Sequence, residues 1–166
     1  MRYPRRKSSL VGLALLVLMA WIARDELREF VGPRRAPGGA WRSVVRVVDG
    51  DTLLLDGDER VRLIGVNTPE TKDPRRPVEH FGKEAAAFTR RMAEGRRVRL
   101  EFDQERHDRY GRTLAYVYLD DGTFLNAEII RQGYGFAYTR FPFRYANDFS
   151  AFERDARENR RGLWAE

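Results

Sequence analysis

A small β-barrel with helices packed against it, mainly β with α, is the fold class this sequence predicts, and three observations predict it. Three short apolar runs separated by Asp-Gly turns stand between Trp41 and Val66, two more strand-like runs follow an amphipathic helical stretch, and helical stretches close the chain. Runs at hairpin spacing form a meander. Five strands with a helix before the fourth suit a closed five-stranded barrel of the OB type carrying about three packed helices.

Each element has a local cause. WRSVVRVV, residues 41–48, is rich in β-branched residues; Asp49-Gly50 is a tight-turn signal; and TLLL, residues 52–55, returns as the second strand. Asp56-Gly57-Asp58 turns the chain into RVRLIGV, residues 60–66. Thr68-Pro69-Glu70 ends the meander, and the stretch to Pro77 carries Lys72, Arg75 and Arg76 between prolines, which reads as an exposed basic loop. In GKEAAAFTRRMAE, residues 82–94, Ala85, Phe88 and Met92 recur at helical spacing, predicting a helix buried on that face and stopped by Gly95. VRLEF, residues 98–102, and TLAYVYL, residues 113–119, are the fourth and fifth strands. A short helix is expected from an Asn126 cap to Gly133, and a last one from Asp148 to Arg160 with Phe149, Phe152 and Ala156 inward.

With 166 residues, 42% of them hydrophobic, the chain holds one ordinary domain and a short appendage, which excludes a solenoid or a large multidomain enzyme. The absence of cysteine excludes a disulfide scaffold, a thiolate zinc site and a cysteine nucleophile. The net charge of +6 is unevenly placed: residues 1–23 hold Arg2, Arg5, Arg6 and Lys7 and no acid, leaving 27 basic residues against 25 acidic ones. A polyanionic partner must therefore be argued from local clusters.

Residues 1–23 join a basic start to an uncharged run, LVGLALLVLMAWIA, from Leu10 to Ala23. That is the anatomy of an export signal, and the run is shorter than the roughly 20 residues that cross a bilayer core. Leu18-Met19-Ala20 and Trp21-Ile22-Ala23 put bulky residues where a cleavage site wants small ones, so a cleaved signal peptide and an uncleaved signal anchor both stay open. The cations before the run predict that residues 1–9 stay cytoplasmic and the rest lies outside, secreted or held at the membrane through residues 10–23. Residues 24–40, with Gly32-Pro33-Arg34-Arg35-Ala36-Pro37-Gly38-Gly39, read as a linker, and residues 41–166 as the folded domain.

Three segments gather polar residues where strands end: Asp49-Gly50-Asp51-Thr52, Arg62 through Asn67-Thr68-Pro69-Glu70, and Asp108-Arg109-Tyr110-Gly111-Arg112. Singly, each reads as a turn or a surface charge. Together, DGDT (49–52), R-x-x-x-x-N-T-P-E-T (62–71) and DRYGR (108–112) resemble, in order and approximate spacing, the staphylococcal nuclease (thermonuclease-like) family. GKEAAAF (82–88), LAYVY (114–118) and RQG (131–133) extend the likeness over about residues 41–166.

The resemblance implies Ca²⁺-dependent hydrolysis of DNA and RNA phosphodiesters with little sequence preference, leaving 3′-phosphate ends. It implies that Asp51 is a calcium-ligating carboxylate, that Thr68 lends its backbone carbonyl, that Glu70 is the general base, and that Arg62 and Arg112 hold the reacting phosphate. Tyr110 and Tyr138 resemble tyrosines flanking a bound nucleotide, and Arg75 and Arg76, with Lys72, could follow the phosphate backbone. A second tyrosine of that pocket stands here as Arg140. The residue types suit the chemistry. Two planar guanidiniums meet phosphate oxygens in pairs, and a fixed cation opposes the charge that builds on them.

Oxygen ligands favour Ca²⁺, with Mg²⁺ second, and argue against zinc. Asn67 departs from the family's aspartate ligand; its amide oxygen still coordinates, but one negative charge is gone, which predicts weaker calcium binding. His80 and His107 have no metal-ligand spacing. The rival reading is a non-catalytic OB-fold nucleic-acid-binding module tethered outside the cytoplasm, which would have no need of Arg62, Glu70 and Arg112 together. No obligate protein partner is evident, and a monomer is expected.

Overall fold

A computed structural model describes residues 39–71 and 79–165. The leader, the linker up to residue 38 and the basic loop with Lys72, Arg75 and Arg76 lie outside the described residues.

The strands are β1 (Arg42–Asp49), β2 (Thr52–Leu55), β3 (Arg60–Leu63), β4 (Val66–Asn67), β5 (Arg97–Glu101), β6 (Thr113–Leu119) and β7 (Phe136–Ala137). The helices are α1 (Gly82–Ala93), α2 (Leu125–Arg131) and α3 (Ala146–Glu158). Five strands close a barrel in the order β1-β2-β3-β6-β5, so the expected architecture is the one observed. All its pairings are antiparallel except β3 with β6, where Val61, Arg62 and Leu63 run beside Thr113, Leu114 and Ala115. That one parallel pair brings Arg62 of the meander beside the segment that delivers Arg112.

The core explains the strand sequences. Leu53, Leu55, Val61, Leu63, Val98, Ala115 and Val117 are buried, as short branched or aliphatic side chains filling a small barrel are expected to be. Alternation along β6 sends Tyr116 and Tyr118 to the opposite face. There they meet Phe124, which also contacts Tyr145 and the fully buried Phe149, and this aromatic layer cements α3 to the barrel.

Four expectations need correction. The third strand does not run to residue 66: it stops at Leu63, Gly65 turns the chain at φ +73°, and Val66–Asn67 pair instead with Phe136–Ala137. A side chain at Gly65 would strike Phe143 at 2.6 Å and Phe149 at 2.9 Å, so both the dihedral and the space demand glycine. Second, α1 buries Ala85, Ala86, Thr89 and Ala93, while Phe88 and Met92 are only half-buried. Small residues let the helix lie close against the barrel, and Phe88 turns outward to stack on Tyr134 at 4.1 Å.

Third, Asn126 is not a cap. It is buried inside α2, accepts the Val117 N–H at 2.9 Å, and donates to the carbonyls of Ile64 at 2.9 Å and Ala115 at 3.2 Å. Fourth, the last helix begins two residues earlier than expected, with Phe149 and Ala156 buried and Phe152 half-buried.

Candidate active site

The turn between β1 and β2 carries the first acidic group. Asp51 is buried, and its Oδ2 accepts the Thr68 N–H at 3.0 Å and the Thr68 hydroxyl at 3.3 Å. Its Oδ1 accepts the Thr52 hydroxyl at 3.0 Å. The approach of the Thr68 loop is possible because residue 50 is glycine: a Cβ there would lie 2.6 Å from the Thr68 Oγ1. Thr89 of α1 donates its hydroxyl to the Gly50 carbonyl at 2.6 Å, fixing the turn to the helix.

Arg62 reaches from β3 into this cluster. Its Nη1 pairs with the Asp51 Oδ2 at 2.7 Å, and its Nη2 donates to the Asn67 Oδ1 at 3.4 Å. Asp51, Arg62, Asn67 and Thr68 are thus one contiguous group, as the motif order suggests. The group offers a carboxylate, an amide oxygen and the backbone carbonyl of Thr68, all hard donors. Among the described residues no group of three or more His, Cys, Asp or Glu is placed to hold a metal ion. The mixed oxygen set fits a hard divalent cation, and Arg62 already spans Asp51 and Asn67 with positive charge.

Glu70 stands beyond Thr68. Its backbone N–H donates to the Glu79 carboxylate at 3.0 Å, and its carboxyl lies beside Asp49. Asp49 reads in the sequence only as a turn residue of DGDT, with no role in the site. Burial pushes its carboxyl up to about 6, against hydrogen bonds from Thr71 and Gly50, and the neighbouring Asp51 and Glu70 add to the rise. The signal is present in DGDT, which puts carboxylates on both sides of a glycine that packs against another loop.

Arg112 belongs to the other wall. The 108–112 turn folds around Asp108, whose Oδ1 accepts the N–H groups of Tyr110 at 2.8 Å and Arg112 at 3.0 Å. The Asp108 Oδ2 accepts from Arg112 Nε at 2.6 Å. Burial works to raise the Asp108 carboxyl, yet the Arg112 N–H and guanidinium and the Tyr110 N–H together hold it below its usual value. A carboxylate two residues before Tyr and four before Arg, in a Gly-containing turn, is a legible signal for this second missed residue.

A cleft of about 610 Å³ joins the parts: Arg62, Asn67, Arg112, Tyr110 and Tyr138 all line it. Tyr110 is 68% exposed and Tyr138 36%, and the Tyr110 ring is met by the guanidiniums of Arg109 at 4.7 Å and Arg112 at 5.6 Å from its centre. The β4–β7 pair sets Asn67 opposite Phe136, and a Tyr138 N–H bond to the Gly65 carbonyl at 2.9 Å holds Tyr138 at the end of that pair, on the same cleft as Asn67. Glu70, Asp51 and Thr68 are not among the lining residues. Arg75 and Arg76 lie outside the described residues. Two guanidiniums and a hard-oxygen cluster beside exposed aromatics suit a ligand with an anionic phosphate and a flat base.

The chain matches a family model described as staphylococcal nuclease homologue over residues 60–166. It is 40% identical to a thermonuclease of Staphylococcus hyicus over 168 aligned residues, covering 96% of this chain and 99% of that protein. Identity to a thermonuclease of Staphylococcus intermedius is 54% over 93 residues, covering 54% of this chain and 55% of that one. Identity to endonuclease YncB of Bacillus subtilis (strain 168) is 34% over 126 residues, 72% of this chain and 59% of that protein.

Proposed function

The chain belongs to the staphylococcal nuclease family and is a nuclease, a hydrolase of phosphodiester bonds; from that premise we propose that it cleaves DNA and RNA strands outside the cytoplasm, with Ca²⁺ held by Asp51, Asn67 and the Thr68 carbonyl. The observation that carries this reading is the cleft shared by Arg62 and Arg112, with Arg62 paired to Asp51 behind it.

The roles follow from the chemistry of each group. Arg62 and Arg112 bind the non-bridging oxygens of the scissile phosphate and oppose the charge that develops there. Arg62 reaches the phosphate while its other face stays on Asp51 and Asn67. Glu70 takes the proton of the attacking water. A carboxylate is an intrinsically weak base, so Glu70 works by position. Tyr110 and Tyr138 stack on a base of the strand and hold the sugar-phosphate in register. A divalent ion, when bound, adds positive charge against the phosphoryl oxygens and orients water.

Asn67 supplies an amide where an aspartate would supply a charge, so calcium binding is weaker than in an Asn67→Asp variant. The export-signal pattern of residues 1–23 supports the placement outside the cytoplasm, and fractionation of cells expressing the full chain tests it.

The direct test incubates the full chain with single-stranded DNA, duplex DNA and RNA in Ca²⁺, Mg²⁺ or chelator, beside Glu70→Gln and Arg112→Ala. Cleavage is expected to need the metal and to fall by at least about 100-fold in each variant. Binding without cleavage by a folded wild-type chain in every metal would sink the catalytic reading in favour of a binding module.

A further inference from the structure

Four arginines line the cleft, and the protein itself holds three of them. Arg62 is paired with Asp51 at 2.7 Å and Arg112 with Asp108 at 2.6 Å. Arg109 donates to the Tyr110 hydroxyl at 2.5 Å, with its guanidinium 4.7 Å from the centre of that ring. Arg140 differs: it is exposed and, among the described residues, makes no ion pair, hydrogen bond or ring contact. Glu105 lines the same cleft, is exposed, and is likewise unpaired among the described residues. The two charges share a cavity without meeting each other.

The segment carrying Arg140 is anchored at both ends. Tyr138 donates its N–H to the Gly65 carbonyl at 2.9 Å, and Arg144 donates its N–H to the Asp103 carboxylate at 2.8 Å. Between these ties, the rings of Tyr138 and Phe141 stand 6.0 Å apart at 56°. An uncommitted guanidinium on a braced loop, flanked by aromatics and sharing its cleft with an uncommitted carboxylate, is complementary to a flat neutral ligand with acceptors on one edge and donors on the next.

Resting on the nuclease reading above, we propose that Arg140 and Glu105 form a guanine-selective subsite for a base flanking the scissile phosphate. Guanine presents O6 and N7 as paired acceptors, which match the fork of Arg140. Its adjoining N1–H and N2–H groups are donors that match Glu105. Adenine and cytosine turn an exocyclic amino group toward the guanidinium, and thymine offers one acceptor in place of two. The subsite adds a single-base preference to a reaction that otherwise reads no sequence. It also gives Arg140 a role that phosphate binding by Arg62 and Arg112 leaves unfilled.

The test measures fluorescence anisotropy of the full chain with labelled heptanucleotides TTTXTTT in chelator, where X is G, A, C, T or 7-deazaguanine. The G oligonucleotide is expected to bind about tenfold more tightly than the A or T ones, as one bidentate base contact provides. 7-Deazaguanine, which lacks the N7 acceptor, loses most of that advantage. Arg140→Gln and Arg140→Lys each collapse the preference, because lysine keeps the charge and loses the fork, and Glu105→Gln reduces it. Binding of all four bases within about twofold, or an equal loss for every base in Arg140→Gln, would overturn the proposal and assign Arg140 to the phosphate backbone. The same oligonucleotides with Ca²⁺ or Mg²⁺ read cleavage. G-selective binding with no cutting would support the subsite while rejecting the nuclease reading.

Discussion

Asp108 organises two residues of the candidate site with one carboxylate, which makes it the most informative single side chain on the Arg112 side of the cleft. Its Oδ1 holds the backbone of Tyr110 and Arg112, and its Oδ2 holds the Arg112 side chain at 2.6 Å. Arg112 has five N–H donors, so those not on Asp108 remain for a phosphate. Because the folded protein keeps the Asp108 carboxyl below 3.8, the charged form is stabilised on folding. That contribution is present above the unfolded value and is lost as pH falls through the lower folded value. Asp108→Asn keeps an acceptor but drops the charge. We expect kcat to fall by about 10- to 100-fold with a smaller change in KM, because the phosphate clamp loses its alignment. Stability at pH 7 should fall by about 1–2 kcal/mol in urea unfolding, and the gap to wild type should close below about pH 3.8. A gap of constant size down to pH 2 would show that the carboxylate's charge is not what holds the turn.

The elements are joined by polar groups as much as by the core, and Asn126 is the case with the largest consequence. From α2 it satisfies one N–H and two carbonyls of β6 and the Ile64 turn, with no exposure to water. Asn126→Leu preserves volume and strips the amide's bonds from the Val117 N–H and the Ile64 carbonyl in the interior, while the Ala115 carbonyl keeps the Ile64 N–H at 3.0 Å. It should cost about 3 kcal/mol and lower the urea midpoint without changing the slope; a cost under about 0.5 kcal/mol would mean that water replaces the amide.

The same residue marks where sequence reading stops. Alternation, turn signals and glycine stops make the five barrel strands and the three helices of the described residues legible, because those patterns are local. Asn126 reads as a cap because Asn before an apolar run ordinarily is one. Only the position of β6 makes its side chain a cross-link. Phe88 fits the inward helical spacing, yet alanines allow the closer approach and the larger ring is left to stack on Tyr134. The β4–β7 pair has no local signal, being two residues on each side joined across the chain. Motif order exposes most of the candidate site. Asp49 and Asp108 stand inside the motifs without a role and Glu105 stands outside them, because what matters about each lies in its surroundings: a buried acid, a turn that wraps an arginine, and a cleft shared with Arg140.

At the scale of the molecule, the candidate site is a product of barrel closure. The Asp51 turn comes from β1 and β2, Arg62 from β3, and Arg112 from the segment entering β6, and only the β2–β3 and parallel β3–β6 pairings bring them together. An unfolded chain has no such site, so a cation bound there stabilises the whole fold by mass action, by about 2.7 kcal/mol at 100 times its Kd. For a chain of this length that is a rise of roughly 2–4 °C in Tm per kcal/mol. In the proposed calcium site Asn67 would limit the effect, because an amide in place of a carboxylate leaves a cation one negative charge short, and its oxygen already accepts from Arg62. We therefore expect Ca²⁺ at about 10 mM to raise the Tm of the wild-type chain by a few degrees over chelator, and that of Asn67→Asp by more, with Asn67→Asp reaching half its effect at a lower concentration. Mg²⁺, which needs a tighter octahedron, should do less in both. Calorimetry across a calcium titration reads this without any substrate. Identical curves for the two chains would remove residue 67 from the metal site, and an unchanged Tm in both would place calcium elsewhere.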